Sequence, residues 1–213
     1  METSHVIVLP GGGYSMLSDN EAEIVADRLR SHGLSADVFR YPVQARHPAP
    51  LDAVRAELRR VRAAGATRVA LLGFSAGGHL AGHAAFTARQ GTDERVDAAV
   101  LCYPVVSMEL ATHRGSQDEL LGADAGNEVR GATSLDRLVT ADAPPVFVWH
   151  TAEDEAVPVQ HSYLLAQALA AHRIPHALHV FTEGEHGLGL AEGQGAAEQW
   201  VRLAADWLQA RGW

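Results

Sequence analysis

The stretch Gly73-Phe74-Ser75-Ala76-Gly77 fits the pattern G-x-S-x-G and lies between a short apolar run, residues 69–72, and a helical stretch, residues 78–89. This context is typical of a sharp turn from a strand into a helix. A serine at such a turn presents its hydroxyl away from the backbone, and the flanking glycines let the chain turn without side-chain clashes. The pattern therefore predicts a nucleophilic Ser75 at the carboxyl end of a strand.

Apolar runs of strand length alternate with helical periodicities on both sides of this turn, which indicates repeated βα units and a parallel sheet. Four runs are almost wholly apolar, whereas the second contains Asp37 and Arg40 and the last one alternates. Strands of the latter kind are typical of sheet edges. We predict an α/β fold of three layers, α/β/α, with a mainly parallel sheet in the order 2-1-3-4-5-6. The predicted strands are residues 6–9, 36–41, 69–72, 98–103, 146–150 and 176–181.

Helices with recognisable ends connect these strands. Ser18 followed by Glu21 fits a capping box, which predicts a helix that begins there and ends at Gly33. Residues 104–143 contain no clear βα unit, and they are long enough to form a small cap over a site. We expect one domain over residues 1–213 with this cap-like insertion.

The charged side chains exclude several kinds of function. All 17 cationic residues are arginine, and a chain without lysine has no Walker lysine, no Schiff base and no Ser-Lys pair. The 26 acidic residues bring the net charge to −9, which repels polyanions. We therefore expect neither nucleic acid nor a membrane surface as a partner. We expect a monomer or homodimer that acts on a small molecule.

The amino terminus leads directly into a strand-like run, without a basic region and a long apolar stretch. No apolar run approaches the roughly 18 to 20 residues that span a bilayer. We therefore expect a cytoplasmic protein without a secretory leader.

A serine nucleophile needs a histidine base, and the base needs an orienting carboxylate that precedes it in this kind of fold. Asp154 follows the strand at residues 146–150, and His186 follows the strand at residues 176–181. We predict Asp154 as the acid and His186 as the base. Glu153 and Glu155 fit the same spacing, and all three carboxylates could instead favour the amino terminus of the next helix.

The segment Pro10-Gly11-Gly12-Gly13-Tyr14 follows the first central strand, and its glycines allow close approach to a substrate. Its amides are candidate donors to the oxyanion of an acyl-transfer intermediate, together with the amide of Ala76. The rival interpretation is a phosphate loop. That interpretation is weak because Met16 stands where a third glycine is required. Tyr14 and Tyr103 lie where an acyl pocket should open, although packing explains Tyr103 equally well.

His79 and His83 are four residues apart on the helix after Ser75, which is a spacing used by metal ligands. No glutamate follows His79, so the zinc-protease pattern fails. We predict no metal and no cofactor.

Taken together, these residues resemble the α/β-hydrolase fold, and within it the small acetyl esterases related to acetylxylan esterases and hormone-sensitive-lipase-like esterases. Many relatives have a histidine where Pro10 stands, and the two strands that usually precede the glycine loop are not found. The blocks that carry the resemblance are Pro10-Gly11-Gly12-Gly13-Tyr14, Gly73-Phe74-Ser75-Ala76-Gly77-Gly78-His79-Leu80-Ala81, Leu101-Cys102-Tyr103-Pro104-Val105, Trp149-His150-Thr151 with Asp154 and Val157-Pro158, and His186-Gly187-Leu188-Gly189-Leu190.

The resemblance implies that Ser75, Asp154 and His186 are the catalytic triad and that the amides of Gly12, Gly13 and Ala76 form the oxyanion hole. We therefore expect a carboxylic ester hydrolase that forms an acyl-enzyme. Short acetyl esters, including those on sugars or xylo-oligosaccharides, are the expected substrates, because a short cap favours a shallow site. The alternatives are a peptidase or lactonase on the same scaffold, or a catalytically silent binding protein.

Overall fold

The computed structural model describes residues 3–88, 91–110 and 113–213. Its strands, numbered in chain order, are β1 (Ser4–Leu9), β2 (Ala36–Val38), β3 (Arg68–Phe74), β4 (Ala98–Cys102), β5 (Val146–Thr151) and β6 (His176–Phe181). Within the described residues they form one sheet in the order β2-β1-β3-β4-β5-β6, and every neighbouring pair is parallel. The predicted fold class and strand order are therefore confirmed.

The central strands are apolar because both of their faces are covered. β4 and β5 are buried along their whole length, whereas β6 at one edge is half-buried throughout. At the other edge β2 ends at Val38, three residues earlier than predicted. The chain leaves the sheet here, and the buried Tyr41 donates its hydroxyl proton to the carbonyl of Pro10 at 2.7 Å. Tyr41 therefore supports the glycine loop instead of extending the strand.

Helices cover both faces of the sheet, which confirms the three layers. On one face, Leu29 and Leu208 pack with the sheet, and on the other face Leu58, Leu80 and Leu165 do so. The first face belongs to α1 and α8 and the second to α2, α3 and α7. The helices are α1 (Glu23–Ser31), α2 (Ala49–Ala63), α3 (Ser75–Thr87), α4 (Arg114–Leu121), α5 (Asn127–Ala132), α6 (Leu135–Leu138), α7 (Gln160–Ala171) and α8 (Trp200–Gln209). The predicted end of α3 at residue 89 lies outside the described residues.

The predicted capping box is wrong. α1 begins at Glu23, after a short 3₁₀ helix at Asp19–Glu21, and Ser18 makes no side-chain capping bond. The side chain of Glu21 points inward and is 2% exposed. The spacing fits a capping box, but buried donors from other segments compete for the carboxylate and bind it instead.

Residues 104–143 contain α4, α5 and α6, and residues 111 and 112 of this segment lie outside the description. The segment is tied to the sheet domain through α6, whose Leu135 packs so closely on α3 that a Cβ at Gly82 would lie 2.5 Å from Leu135 Cδ1. Its role as a cap stays a prediction. None of the helices in the described ranges is long and apolar enough to cross a membrane.

Candidate active site

Ser75 lies at the sharp turn between β3 and α3, with a φ angle of 50°. Both glycines of the pattern are required sterically. A Cβ at Gly73 would lie 2.2 Å from the carbonyl oxygen of Gly77, and a Cβ at Gly77 would lie 2.2 Å from the carbonyl oxygen of Leu9. Any side chain at either position would therefore push the turn out of the sheet, and the predicted turn is the one observed.

The structure brings the three predicted catalytic side chains together from three separate segments. The Ser75 hydroxyl lies 2.8 Å from His186 Nε2, and His186 Nδ1 lies 2.6 Å from Asp154 Oδ2. Since a carboxylate only accepts, Nδ1–H donates to Asp154 and Nε2 accepts the serine proton. This arrangement can remove the Ser75 proton when the oxygen attacks an electrophile. The catalytic roles themselves stay predictions.

Asp154, and not Glu153 or Glu155, is the carboxylate that is hydrogen-bonded to His186. Its side chain is buried, whereas Glu153 and Glu155 are exposed, and Glu153 accepts a hydrogen bond from the amide of Gly184. Burial alone would raise the pKa of Asp154, but hydrogen bonds from His150 and His186 outweigh it, and its pKa lies well below the usual range. Asp154 is therefore ionised throughout the neutral and mildly acidic range.

His150 is a fully buried part of this site to which the sequence reasoning gave no role. Its Nε2–H donates to the carbonyl of Val157 at 2.9 Å and lies 3.1 Å from Asp154 Oδ2, and its Nδ1 lies 2.7 Å from the Ser162 hydroxyl. The amide of Val157 also donates to Asp154 Oδ1 at 2.8 Å. The donors from His150 and Val157 hold the Asp154 carboxylate in the orientation in which it accepts the His186 hydrogen bond. The sequence feature that could have indicated this role is the position of His150 near the end of a strand, four residues before Asp154.

The glycine loop lies against the turn that carries Ser75. Gly12 and Gly13 have φ angles of 117° and 66°, which glycine tolerates and most residues do not. Both line one groove with Ser75. Among the backbone–backbone hydrogen bonds of the described residues that lie outside helices and strands, none is donated by the amide of Gly12, Gly13 or Ala76. The structure thus brings the predicted oxyanion-hole residues together beside Ser75, and their role stays a prediction.

The two tyrosines predicted to line the acyl pocket are instead buried beneath the site. Tyr14 is 0% exposed and donates to His79 Nδ1 at 2.7 Å, and Tyr103 is 1% exposed and donates to Glu21 Oε1 at 2.7 Å. Both tyrosines follow the carboxyl end of a strand, where a side chain can contact either a substrate or the core. Their hydroxyls have buried partners, so the rings turn inward.

The groove above Ser75 has a volume of about 330 Å³. His113, from the segment at residues 104–143, lies in it beside Gly13, where a Cβ would be 3.2 Å from the ring. A further hollow of about 720 Å³ is bordered by His186 and by acidic side chains. The remaining residues that line the groove include Gly12, Ser15, Met16, Ser18, Glu21, Ala156, His186 and Gly187.

His79 and His83 belong to no cluster of three or more histidine, cysteine or acidic side chains that could hold a metal ion, and no such cluster occurs in the described residues. His79 donates Nε2–H to the carbonyl of Thr133 and accepts the Tyr14 hydroxyl proton at Nδ1. Burial lowers the pKa of His79 to about 4 and that of His83 to about 2. Both are therefore neutral in the folded protein.

We predict that folding stability falls with acid through these buried histidines. In the unfolded chain a histidine has a pKa of about 6.5, so it binds a proton below that pH, whereas the two buried histidines of the folded chain stay neutral. The free energy of unfolding therefore decreases as the pH falls from about 6.5 towards 4. The expected loss between pH 7 and pH 5 is about 2 kcal/mol for each histidine. Urea unfolding should show a loss of stability between pH 7 and pH 5 that is about 2 kcal/mol smaller in His79→Gln, because glutamine carries a donor and an acceptor but does not titrate. The exposed His172→Gln is the control, and an unchanged pH dependence in His79→Gln would contradict the interpretation.

Comparison with known proteins identifies the family. The family model described as "Prolyl oligopeptidase family" matches residues 51–211, from the first turn of α2 to just beyond α8. The chain belongs to this family. The residues matched by this prolyl oligopeptidase family model include Ser75, Asp154 and His186. The glycine loop lies before the matched residues.

Solved and curated relatives of this prolyl oligopeptidase family member extend the comparison over the glycine loop. A crystal structure of an acetyl ester-xyloside bifunctional hydrolase from Caldicellulosiruptor lactoaceticus superposes with a TM-score of 0.94 and 38% identity, covering 99% of this chain and 84% of that one. The acetylxylan esterase of Xylanibacter ruminicola is 28% identical over 220 residues, which cover 96% of this chain and 45% of the relative. These findings confirm the predicted resemblance to acetyl esterases on an α/β-hydrolase fold.

A further relative carries a different name. The endo-1,4-beta-xylanase B of Butyrivibrio fibrisolvens is 34% identical over 206 residues, which cover 87% of this chain and 32% of the relative. The chain therefore spans less than half the length of the two curated relatives.

Proposed function

We propose that this chain is a serine carboxylesterase that removes short acyl groups, chiefly acetyl, from sugars or xylo-oligosaccharides. The observation that carries the proposal is the chain of hydrogen bonds from Asp154 through His186 to Ser75. Ser75 and His186 line the groove beside the glycine loop. A buried acid, a histidine with a fixed tautomer and a serine at a strained turn are the elements of acyl transfer.

In the proposed mechanism, Ser75 Oγ attacks the ester carbonyl carbon while His186 Nε2 takes the serine proton. The amides of Gly12, Gly13 and Ala76 stabilise the negative oxygen of the tetrahedral intermediate. The C–O bond to the alcohol then breaks, and His186 returns the proton to the departing oxygen. Water, activated by the same histidine, attacks the acyl-enzyme and releases the acid. Asp154 stabilises the imidazolium in both halves of the reaction.

Two observations support a small acyl group on a sugar. The groove of about 330 Å³ lies near the lower end of the range for ligand pockets, about 300 to 1,000 Å³. The names of the relatives refer to acetylxylan, to an acetyl ester and xyloside, and to xylanase. A short acyl group and a carbohydrate alcohol satisfy both observations.

We predict that kcat/KM for p-nitrophenyl acetate exceeds that for the octanoate ester by at least about tenfold, because a groove of about 330 Å³ leaves little room for a long acyl chain. Acetylated xylo-oligosaccharides should release acetate, measured by proton NMR, faster than acetylated glycerol at equal ester concentration. A preference for octanoate would contradict the short-acyl assignment, and equal rates on the two polyols would contradict the sugar assignment.

Peptide hydrolysis is the second candidate function, because the family to which the chain belongs is named after an oligopeptidase. The same nucleophile and base can cleave an amide. Proline-containing peptide anilides distinguish the two functions: we expect their kcat/KM to lie far below that for the acetyl ester. A kcat/KM for the anilide above that of the ester would reverse the assignment.

A further inference from the structure

Glu21 is a buried carboxylate that connects two loops of the site. Its Oε2 accepts the amide proton of Gly11 at 2.7 Å, and its Oε1 accepts the hydroxyl proton of Tyr103 at 2.7 Å. The Tyr103 oxygen in turn accepts the amide proton of Gly189 at 2.9 Å. Gly11 lies in the glycine loop and Gly189 in the loop of His186. One carboxylate therefore links the loop of the proposed oxyanion donors to the loop of the proposed base.

The surroundings of Glu21 indicate that this link is specific. Burial raises the pKa of Glu21, while the hydrogen bonds from Tyr103 and Gly11 oppose that shift. A buried carboxylate is costly to keep, so its donors must hold it in place. The Tyr103 ring also meets the His186 ring edge to face, with 5.0 Å between centroids. The connection from Glu21 through Tyr103 therefore ends directly at the imidazole.

A second bond from the same short 3₁₀ helix reaches the His186 loop. Asn20 Nδ2 donates to the carbonyl of Gly187 at 2.9 Å. On the other side, Gly11 fits so closely that a Cβ would lie 2.6 Å from Glu21 Oε2 and 3.1 Å from Ser75 Cβ. The helix at Asp19–Glu21 thus contacts both loops, and a shift of Glu21 would move the glycine loop relative to Ser75.

We propose that Glu21 is a positioning residue that fixes the glycine loop and the His186 loop relative to Ser75 through Gly11 and Tyr103. The proposal rests on the proposed esterase function. It assigns Glu21 no proton transfer and no contact with the reacting atoms. Its effect is on the geometry of the oxyanion donors and of the imidazole, so it should act on turnover and not on substrate affinity.

The test is Glu21→Gln, which preserves the shape but removes the charge. The glutamine oxygen can still accept the Gly11 amide proton, so its NH₂ group faces the Tyr103 hydroxyl, which can then no longer donate to residue 21. We expect kcat to fall on the order of 10- to 100-fold while KM changes less than about twofold, as for a loss of transition-state geometry. Tyr103→Phe removes the hydroxyl and keeps the ring, and it should act likewise. Because the two residues form one connection, the double variant should lose little more than the larger single loss.

Glu23→Gln is the matched control, since Glu23 is an exposed carboxylate two residues away. Equal kcat in Glu21→Gln and Glu23→Gln, or a lowered melting temperature with unchanged kcat, would overturn the positioning role. Multiplicative losses in the double variant would overturn the connection through Tyr103.

Amide NMR separates failure of this inference from failure of the proposed function. We expect the Gly11 amide proton to shift upfield in Glu21→Gln and the Gly189 amide proton to do so in Tyr103→Phe, whether or not the wild type hydrolyses esters. An inactive wild type with these shifts would refute the esterase and retain the link between the loops. Unchanged amide shifts in an active enzyme would refute the link and retain the esterase.

Discussion

Ser75→Ala and His186→Ala should each reduce kcat for p-nitrophenyl acetate on the order of 10⁴- to 10⁶-fold. Alanine at residue 75 leaves no oxygen to form the acyl-enzyme, and alanine at residue 186 leaves the hydroxyl without its partner at 2.8 Å. The two side chains act in one step, so the double variant should lose hardly more than either single variant. Steady-state kinetics on folded, matched preparations measure this result.

The controls for this experiment are Ser31→Ala and His172→Ala, which remove an exposed serine and an exposed histidine away from the groove. Both should retain wild-type kcat. A Ser75→Ala variant with more than about a tenth of wild-type turnover would contradict nucleophilic catalysis by Ser75, because residual oxyanion stabilisation alone supports far less.

Asp154→Asn should reduce kcat about 10³- to 10⁴-fold with little change in KM. The asparagine NH₂ group would face the ring nitrogens of His186 and His150, which now donate to the carboxylate at 2.6 Å and 3.1 Å. An amide donor next to His186 Nδ1 favours the tautomer with its proton on Nε2. That tautomer cannot accept the proton of Ser75, so the loss falls on turnover.

Glu153→Gln and Glu155→Gln are the matched comparisons, because each removes one negative charge next to Asp154. Both side chains are exposed and contact neither His186 nor His150 in the described hydrogen bonds. Each variant should keep kcat within about threefold of wild type. A large loss in either of them, with full activity in Asp154→Asn, would move the acid assignment to that glutamate.

Much of the fold could be predicted from the sequence because each signal was local. The apolar runs give the strands, and Asp37 within the second run indicates an edge. The turn at Ser75 could be predicted because its glycines are a steric requirement of the backbone itself. His186 and an acid among Glu153, Asp154 and Glu155 could be predicted from their place after strands, since parallel strands end at the same side of a sheet. Only the structure separates Asp154, which is hydrogen-bonded to His186, from its two neighbours.

The sequence is least informative about side chains whose partners are distant in the chain. Glu21 fits a local capping box, yet its donors are Gly11 and Tyr103, the latter 82 residues away. Tyr14 and Tyr103 follow strand ends as substrate-binding residues do, but buried acceptors pull their hydroxyls inward. No local pattern reports such pairings, because they form only after the sheet has brought the loops together.

Covalent labelling of the wild-type chain with a fluorophosphonate, followed by peptide mass mapping, is the decisive measurement. A fluorophosphonate reacts with a serine that a neighbouring base has activated. We predict one adduct per chain, on the peptide that contains Ser75, with loss of esterase activity in proportion to labelling and no adduct in Ser75→Ala. Absence of an adduct on an enzyme that hydrolyses acetyl esters, or an adduct on another residue, would contradict the assignment of Ser75 as the nucleophile.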